Sequence, residues 1–217
     1  MAFRDRTHAG EELALRMLEW AGSGDLVDPV VLALPRGGVP VAAPVARALH
    51  APLDVLVARK IGAPGRRETA IGALVADEPP LFDRRALEFL QLTEDDLVDD
   101  VARERAELYR REDLYRAGRT LPAVKDRSVI LVDDGLATGL TATAALAFLR
   151  RLGAGRIVLA VPVGSPRAVA EIRRHTDDVV CLDQPEAMRG ISERYDRFDQ
   201  LSDAEVTTLL RPFHATA

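Results

Sequence analysis

The chain has 217 residues, 47% of them hydrophobic and 29% charged, with a formal net charge of −5. Such a chain can bury a sizeable core, and without a basic surplus it has no general affinity for nucleic acid, although a local arginine cluster could still hold a small anion. The single cysteine, Cys181, excludes an internal disulfide and a multi-cysteine metal site, and no apolar run approaches the ~20 residues of a membrane span.

The opening "MAFRDRTHAGEE" has no apolar signal core, so a reduced, cytoplasmic protein is expected. In "GEELALRMLEWAG", Leu13, Met17 and Trp20 recur at roughly helical spacing and predict a helix that closes at Gly22. "DPVVLAL" reads as a short strand and "PRGGVP" breaks it. "VPVAAPVARALH" follows as an alanine-rich helix, with Pro40 tolerated in its first turn. "PLDVLVAR" is a second strand. Strand, glycine loop, helix and strand in that order form a parallel unit.

Residues 60–80, "KIGAPGRRETAIGALVADEPP", show little periodicity and predict a long connection with a short strand at Ala70–Val75. "TEDDLVDDVARERAELYRREDLYRAG" predicts a long helix, with Thr93 as N-cap, acids in its first turn and arginines later. Leu97, Val101, Leu108 and Tyr115 share one face of it, and Gly118 is a natural stop. "SVILV", "TATAALAFLRRLG", "RIVLAVPV", "SPRAVAEIRRH" and "DVVCL" then alternate strand and helix, with Ser165 capping and Pro166 leading the second helix. Ser202 and Glu205 form a capping box before a terminal helix. This alternation predicts an α/β fold, a mainly parallel central sheet with helices on both faces.

The chemistry is concentrated in "VILVDDGLATGLT", residues 129–141. Ligands of such sheets bind beyond the carboxyl ends of the strands, where Asp133 and Asp134 stand. Two adjacent carboxylates raise one another's pKa unless donors or a cation attend them. The vicinal hydroxyls of a ribose are two such donors. Gly135 and Gly139 let the backbone turn close to an oxyanion, Thr138 and Thr141 add hydroxyls, and the following helix opens with free amides. "DDG" alone would be a plain turn. The whole run points to a sugar phosphate. No Lys-Ser/Thr follows the glycines, which excludes a P-loop.

This stretch resembles the binding motif for phosphoribosyl diphosphate (PRPP) in type I phosphoribosyltransferases. Together with "ALPRGGVPVA", "ARKIGAPG" and "AIGAL", it is similar to a bacterial branch of that family, from about Val30 to Leu182. The resemblance implies that Asp133 and Asp134 bind the ribose hydroxyls. It implies that Ala137, Thr138, Gly139, Leu140 and Thr141 hold the 5′-phosphate. The turn Arg36, Gly37 and Gly38 would take the diphosphate, which Arg59 and Lys60 would also reach. Arg36, Arg59 and Lys60 are thus the candidate catalytic residues. The implied cofactor is Mg²⁺, carried by substrate oxygens and water, with no direct protein ligand required and Asp133 or Asp134 the candidates for one.

On this resemblance, residues 1–217 form one phosphoribosyltransferase-like domain. It carries a flexible loop about 61–80, containing Arg66, Arg67 and Glu68, and a helical insertion about 93–118 that covers the site or builds a homodimer. The partners implied are PRPP and a small-molecule acceptor, with no nucleic acid and no membrane. Related 6-oxopurine enzymes carry a third acid at the position of Ala137, so hypoxanthine or guanine is not the expected acceptor. Tyr195 and Phe198 in "ERYDRFDQ" either stack on a base or pack internally. Two alternatives stay open: a PRPP- or nucleotide-sensing regulator on the same fold, and a sugar-phosphate hydrolase.

Overall fold

Asp5 opens the first helix. Its carboxylate accepts from the His8 amide at 3.0 Å, so α1 (Arg6–Ala21) starts earlier than the apolar spacing alone indicates. Gly22 closes it, donating to the Leu18 carbonyl at 3.0 Å. The structure, a computed structural model, describes residues 2–22 and 26–214, apart from the side chains of Arg67 and Glu68.

Five strands form the central sheet: β1 (Val30–Ala33), β2 (Leu53–Val55), and, further along the chain, β6 (Ser128–Val132), β7 (Arg156–Val163) and β8 (Asp178–Asp183). Their spatial order is β2-β1-β6-β7-β8, and every pairing is parallel. The strands are short apolar runs because both faces are covered. Val31, Ala33, Ile130 and Val132 face a layer containing α1 and α2 (Gly38–Ala48). Val30, Leu32, Val129 and Leu131 face α5 (Leu140–Arg151) and α6 (Pro166–Ile172). This is the α/β arrangement that the alternation of elements predicts. Gly10 brings α1 against α2, since a Cβ there would lie 2.6 Å from the Val41 carbonyl.

Residues 58–82 depart from the expected long connection. β3 (Ala58–Ala63) and β4 (Arg66–Val75) form an antiparallel hairpin that turns at Pro64–Gly65, and β5 (Leu81–Phe82) adds a third strand. Ile61, Ile71 and Leu74 are fully buried beneath it. The register shifts at Ile61/Gly62 and Gly62/Ala63 break the period-2 pattern, which is why the sequence reads as irregular. Arg66 is exposed, while the side chains of Arg67 and Glu68 lie outside the described residues.

A short helix, α3 (Arg84–Leu90), capped by Asp83, follows the hairpin. Thr93 and Asp96 then form a reciprocal box, the Thr93 amide donating to Asp96 Oδ2 at 2.8 Å. They cap a single 3₁₀ turn, Asp95–Leu97, that leads into α4 (Val98–Arg116). Leu97, Leu108 and Tyr115 are buried as their spacing predicts, and the helix ends at Arg116 with Ala117 as its C-cap, one residue before Gly118. The last helix, α7 (Asp203–His214), opens with the expected box, the Ser202 amide donating to Glu205 Oε2 at 2.7 Å. Cys181 is a half-buried β8 residue whose thiol burial pushes up to about 11.

Candidate functional site

The site is assembled where β1 and β6 end side by side. The Leu34 amide donates to the Val132 carbonyl at 2.8 Å, which brings the Arg36–Gly38 turn against the acid pair. The contact is close. A Cβ on Gly37 would lie 1.9 Å from Asp134 Oδ2, and one on Gly38 2.7 Å from the Val132 carbonyl. Only glycine leaves room for the carboxylate there. The Pro35–Arg36 peptide in this turn is cis. Two motifs separated by about a hundred residues thus become one surface.

The acid pair is nearly enclosed. Asp134 is 13% exposed at its side chain, and its Oδ2 accepts from Arg6 Nε at 2.7 Å. Asp133 Oδ1 accepts from the Asp134 amide at 2.8 Å. Burial, and then the charge of Asp134, push the Asp133 carboxyl well above the ordinary carboxylate range. Burial also raises Asp134, while Arg6 opposes the shift. Burial thus favours the protonated form of both carboxyls, and the Arg6 guanidinium partly offsets it at Asp134.

Beyond the pair, the chain turns through Ala137 and Thr138, both exposed, into α5. Gly139 is the N-cap, with φ 79°, and no side chain caps the helix. The amides of its first turn are thus left for an anion. Ser165 Oγ donates to the Ala137 carbonyl at 3.1 Å, and the Leu136 amide to the Val163 carbonyl at 2.8 Å, fixing this loop to the end of β7. On its outer side a cleft of about 730 Å³ opens, lined by Ala137, Thr138, Leu140 and Arg167, with Phe82 and Arg85 across it.

The basic residues separate. Arg36 points toward α4 and α7, its Nη1 lying 3.8 Å from Asp203 Oδ1, and Asp203 also takes Arg110 at 2.8 Å. Arg59 is held by Glu104 of α4, at 2.6 and 3.1 Å. Its neighbour Lys60 is exposed. Among the described residues no group of three or more His, Cys, Asp or Glu side chains is placed to hold a metal ion. Asp133 and Asp134 do offer the hard carboxylate oxygens that Mg²⁺ takes alongside substrate and water.

Sequence reasoning missed Arg6, for which no motif gives a signal. Tyr195 and Phe198 are packed internally. Tyr195 is 7% exposed and donates its hydroxyl to the Asp134 carbonyl at 2.6 Å. Phe198 lies beneath the Arg6 guanidinium, 3.7 Å from it.

A family model described as the phosphoribosyl transferase domain matches residues 7–196. A Mycobacterium tuberculosis protein named "Putative phosphoribosyl transferase" is 42% identical over 213 residues, covering 98% of this chain and 47% of that protein. The chain thus spans about half the length of the curated relatives it matches. A uracil phosphoribosyltransferase of Clostridioides difficile is 40% identical over 76 residues, 30% of this chain and 36% of that protein. The crystal structure of a Thermus thermophilus protein, TT1426, superposes with a TM-score of 0.79 at 41% identity, covering 98% of this chain and 99% of that one.

Proposed function

The chain belongs to the phosphoribosyl transferase domain family, and from that premise we propose that it transfers a phosphoribosyl group from PRPP to a nitrogenous base, releasing diphosphate. One observation carries the proposal: the Gly37 turn packs directly on Asp134, beside an uncapped helix N-terminus. Acceptors for two hydroxyls and donors for a phosphate and a diphosphate therefore meet at the adjoining ends of β1 and β6.

In this reaction the acid pair orients the ribose, and the amides of residues 137–141 fix its 5′-phosphate, so the sugar is anchored at both ends. The bond from C1 to the diphosphate oxygen breaks as the acceptor nitrogen bonds to C1 and gives up its proton to the departing diphosphate, through a transition state of oxocarbenium character. Charge accumulates on the leaving diphosphate, where the amides of the turn stabilise it and Arg36 joins them on leaving Asp203. Asp133 or Asp134, together with substrate oxygens and water, would hold Mg²⁺, which would supply further charge neutralisation for the leaving group. The β3–β4 hairpin is the candidate cover that excludes water from the cationic centre. Ala137 offers no carboxylate to a base, which supports an acceptor other than hypoxanthine or guanine.

One observation favours a second function, a PRPP- or nucleotide-sensing protein without turnover: Arg59, a candidate for the diphosphate, is already paired with Glu104. Diphosphate release from PRPP and Mg²⁺ with a panel of bases separates the two. Transfer predicts base-dependent release that Asp134→Asn abolishes. PRPP binding without release under any base supports the sensor, and no PRPP binding at all contradicts both.

A further inference from the structure

Asp134 is gripped from two sides by segments remote in sequence. The Phe3 amide donates to the Arg194 carbonyl and the Asp196 amide to the Phe3 carbonyl, both at 2.8 Å, while the Arg197 amide donates to the Arg4 carbonyl at 3.0 Å. Residues 3–4 and 194–197 are thereby zipped together. Arg197 Nη2 donates to Asp5 Oδ2 at 2.6 Å, and Asp5 caps α1, so the first residue of that helix, Arg6, has a fixed origin. Among the described residues, three contacts hold the Arg6 guanidinium. It lies 3.7 Å from the centre of the Phe198 ring, its Nη1 donates to the Asp199 carbonyl at 2.8 Å, and its Nε donates to Asp134 Oδ2 at 2.7 Å. Phe198 packs in turn on Tyr195, 4.9 Å between ring centres, and the Tyr195 hydroxyl holds the Asp134 carbonyl.

A planar cation stacked on a ring and hydrogen-bonded through two nitrogens has little freedom left. Side chain and backbone of one aspartate are both tethered to the same strap. We propose that Arg6 is a positioning residue for the pentose: it fixes Asp134 with Oδ2 turned inward, so that Oδ1 is presented to a ribose hydroxyl. The inference rests on the ribose assignment made above and adds the strap, residues 3–6 and 194–199, to the substrate-binding apparatus. In this role Arg6 acts on the sugar through Asp134. Gly37 supports the same orientation, because its missing side chain is what lets Oδ2 lie inward.

The test compares two probes by equilibrium titration: ribose 5-phosphate, which carries the hydroxyls, and inorganic phosphate, which does not. Arg6→Met is expected to weaken ribose 5-phosphate about tenfold or more while leaving inorganic phosphate within about twofold. Arg6→Lys keeps the positive charge and is expected to recover part of the loss. Should Arg6→Met fail to fold, Phe198→Leu, which removes the stacking surface and leaves the arginine, is expected to weaken the sugar phosphate selectively as well. Parent-like binding of ribose 5-phosphate overturns the proposal, as does an equal loss for both probes, which marks general damage to the fold. Tighter binding also overturns it, since Arg6 would then be an obstruction. Failure of the parent protein to bind ribose 5-phosphate contradicts the ribose assignment itself, and this inference with it.

Discussion

Gly37→Ala is a steric test of the contact between the turn and the acid pair. Gly37 lies at φ −62° and ψ −32°, which alanine adopts freely. In the absence of neighbours the substitution would stabilise the fold by about 0.4–1 kcal/mol. Here the new methyl group would lie 1.9 Å from Asp134 Oδ2, 2.5 Å from its Cγ and 3.1 Å from Arg6 Nε. Since Cβ atoms do not approach neighbours within 3.0 Å, the carboxylate must retreat by at least 1.1 Å. A hydrogen bond stretched by that much is lost. Overpacking costs about 1–3 kcal/mol, which leaves a net destabilisation of roughly 0–2.6 kcal/mol, centred on about 1.3 kcal/mol, or a fall in Tm of about 3–5 °C at that centre. A lost hydrogen bond to a charged acceptor costs about 1.5–3 kcal/mol, so ribose 5-phosphate should bind about 10- to 100-fold more weakly. Calorimetric titration and thermal melting read both effects. Gly22→Ala, whose Cβ would meet nothing nearer than 3.5 Å, is the control. Unchanged affinity and Tm in Gly37→Ala would refute the packing of turn against carboxylate.

Three further outcomes are expected. Asp133 has a carboxyl pKa raised in the folded state, so the parent loses stability as pH rises from the ordinary carboxylate range through that raised value. Asp133→Asn cannot ionise and should melt higher than the parent, by a margin that opens with rising pH, while losing affinity for ribose 5-phosphate; a margin independent of pH would contradict the cause given. Gly139→Ala forces a side chain into φ 79° with its Cβ 3.3 Å from Ile172, at a cost of about 1–2 kcal/mol. Its Tm should fall and its affinity for inorganic phosphate weaken, whereas parent-like phosphate binding would remove the loop from the phosphate site. Chelation of Mg²⁺ should stop diphosphate release, and added Mg²⁺ should restore it; release that persists in chelator would show that transfer does not need the ion.

The parallel sheet was legible because its strands are contiguous apolar runs buried on both faces, and β1, β6 and β7 are each followed by a helix. "VILVDDGLATG" was legible for a related reason: two charges at the end of a buried strand are costly without a partner, and so they advertise one. Other features lay in physics that the sequence does not display locally. The β3–β4 hairpin was hidden by its register shifts, which interrupt the alternation that marks a strand. The pairing of Arg59 with Glu104 depends on α4 folding back over β3, and no motif encodes it. Arg6 meets Asp134 across 128 residues of chain, and its backing comes from a segment beyond residue 190. Tyr195 and Phe198 looked able to stack on a base, but their rings are occupied by one another and by Arg6.

A crystal structure of the protein with ribose 5-phosphate bears most directly on the ribose-phosphate site. The sugar hydroxyls are predicted within hydrogen-bonding distance of the Asp133 and Asp134 carboxylates, with the phosphate on the amides of residues 137–141. A sugar phosphate bound elsewhere, with both carboxylates still enclosed by Arg6 and the Gly37 turn, would contradict it.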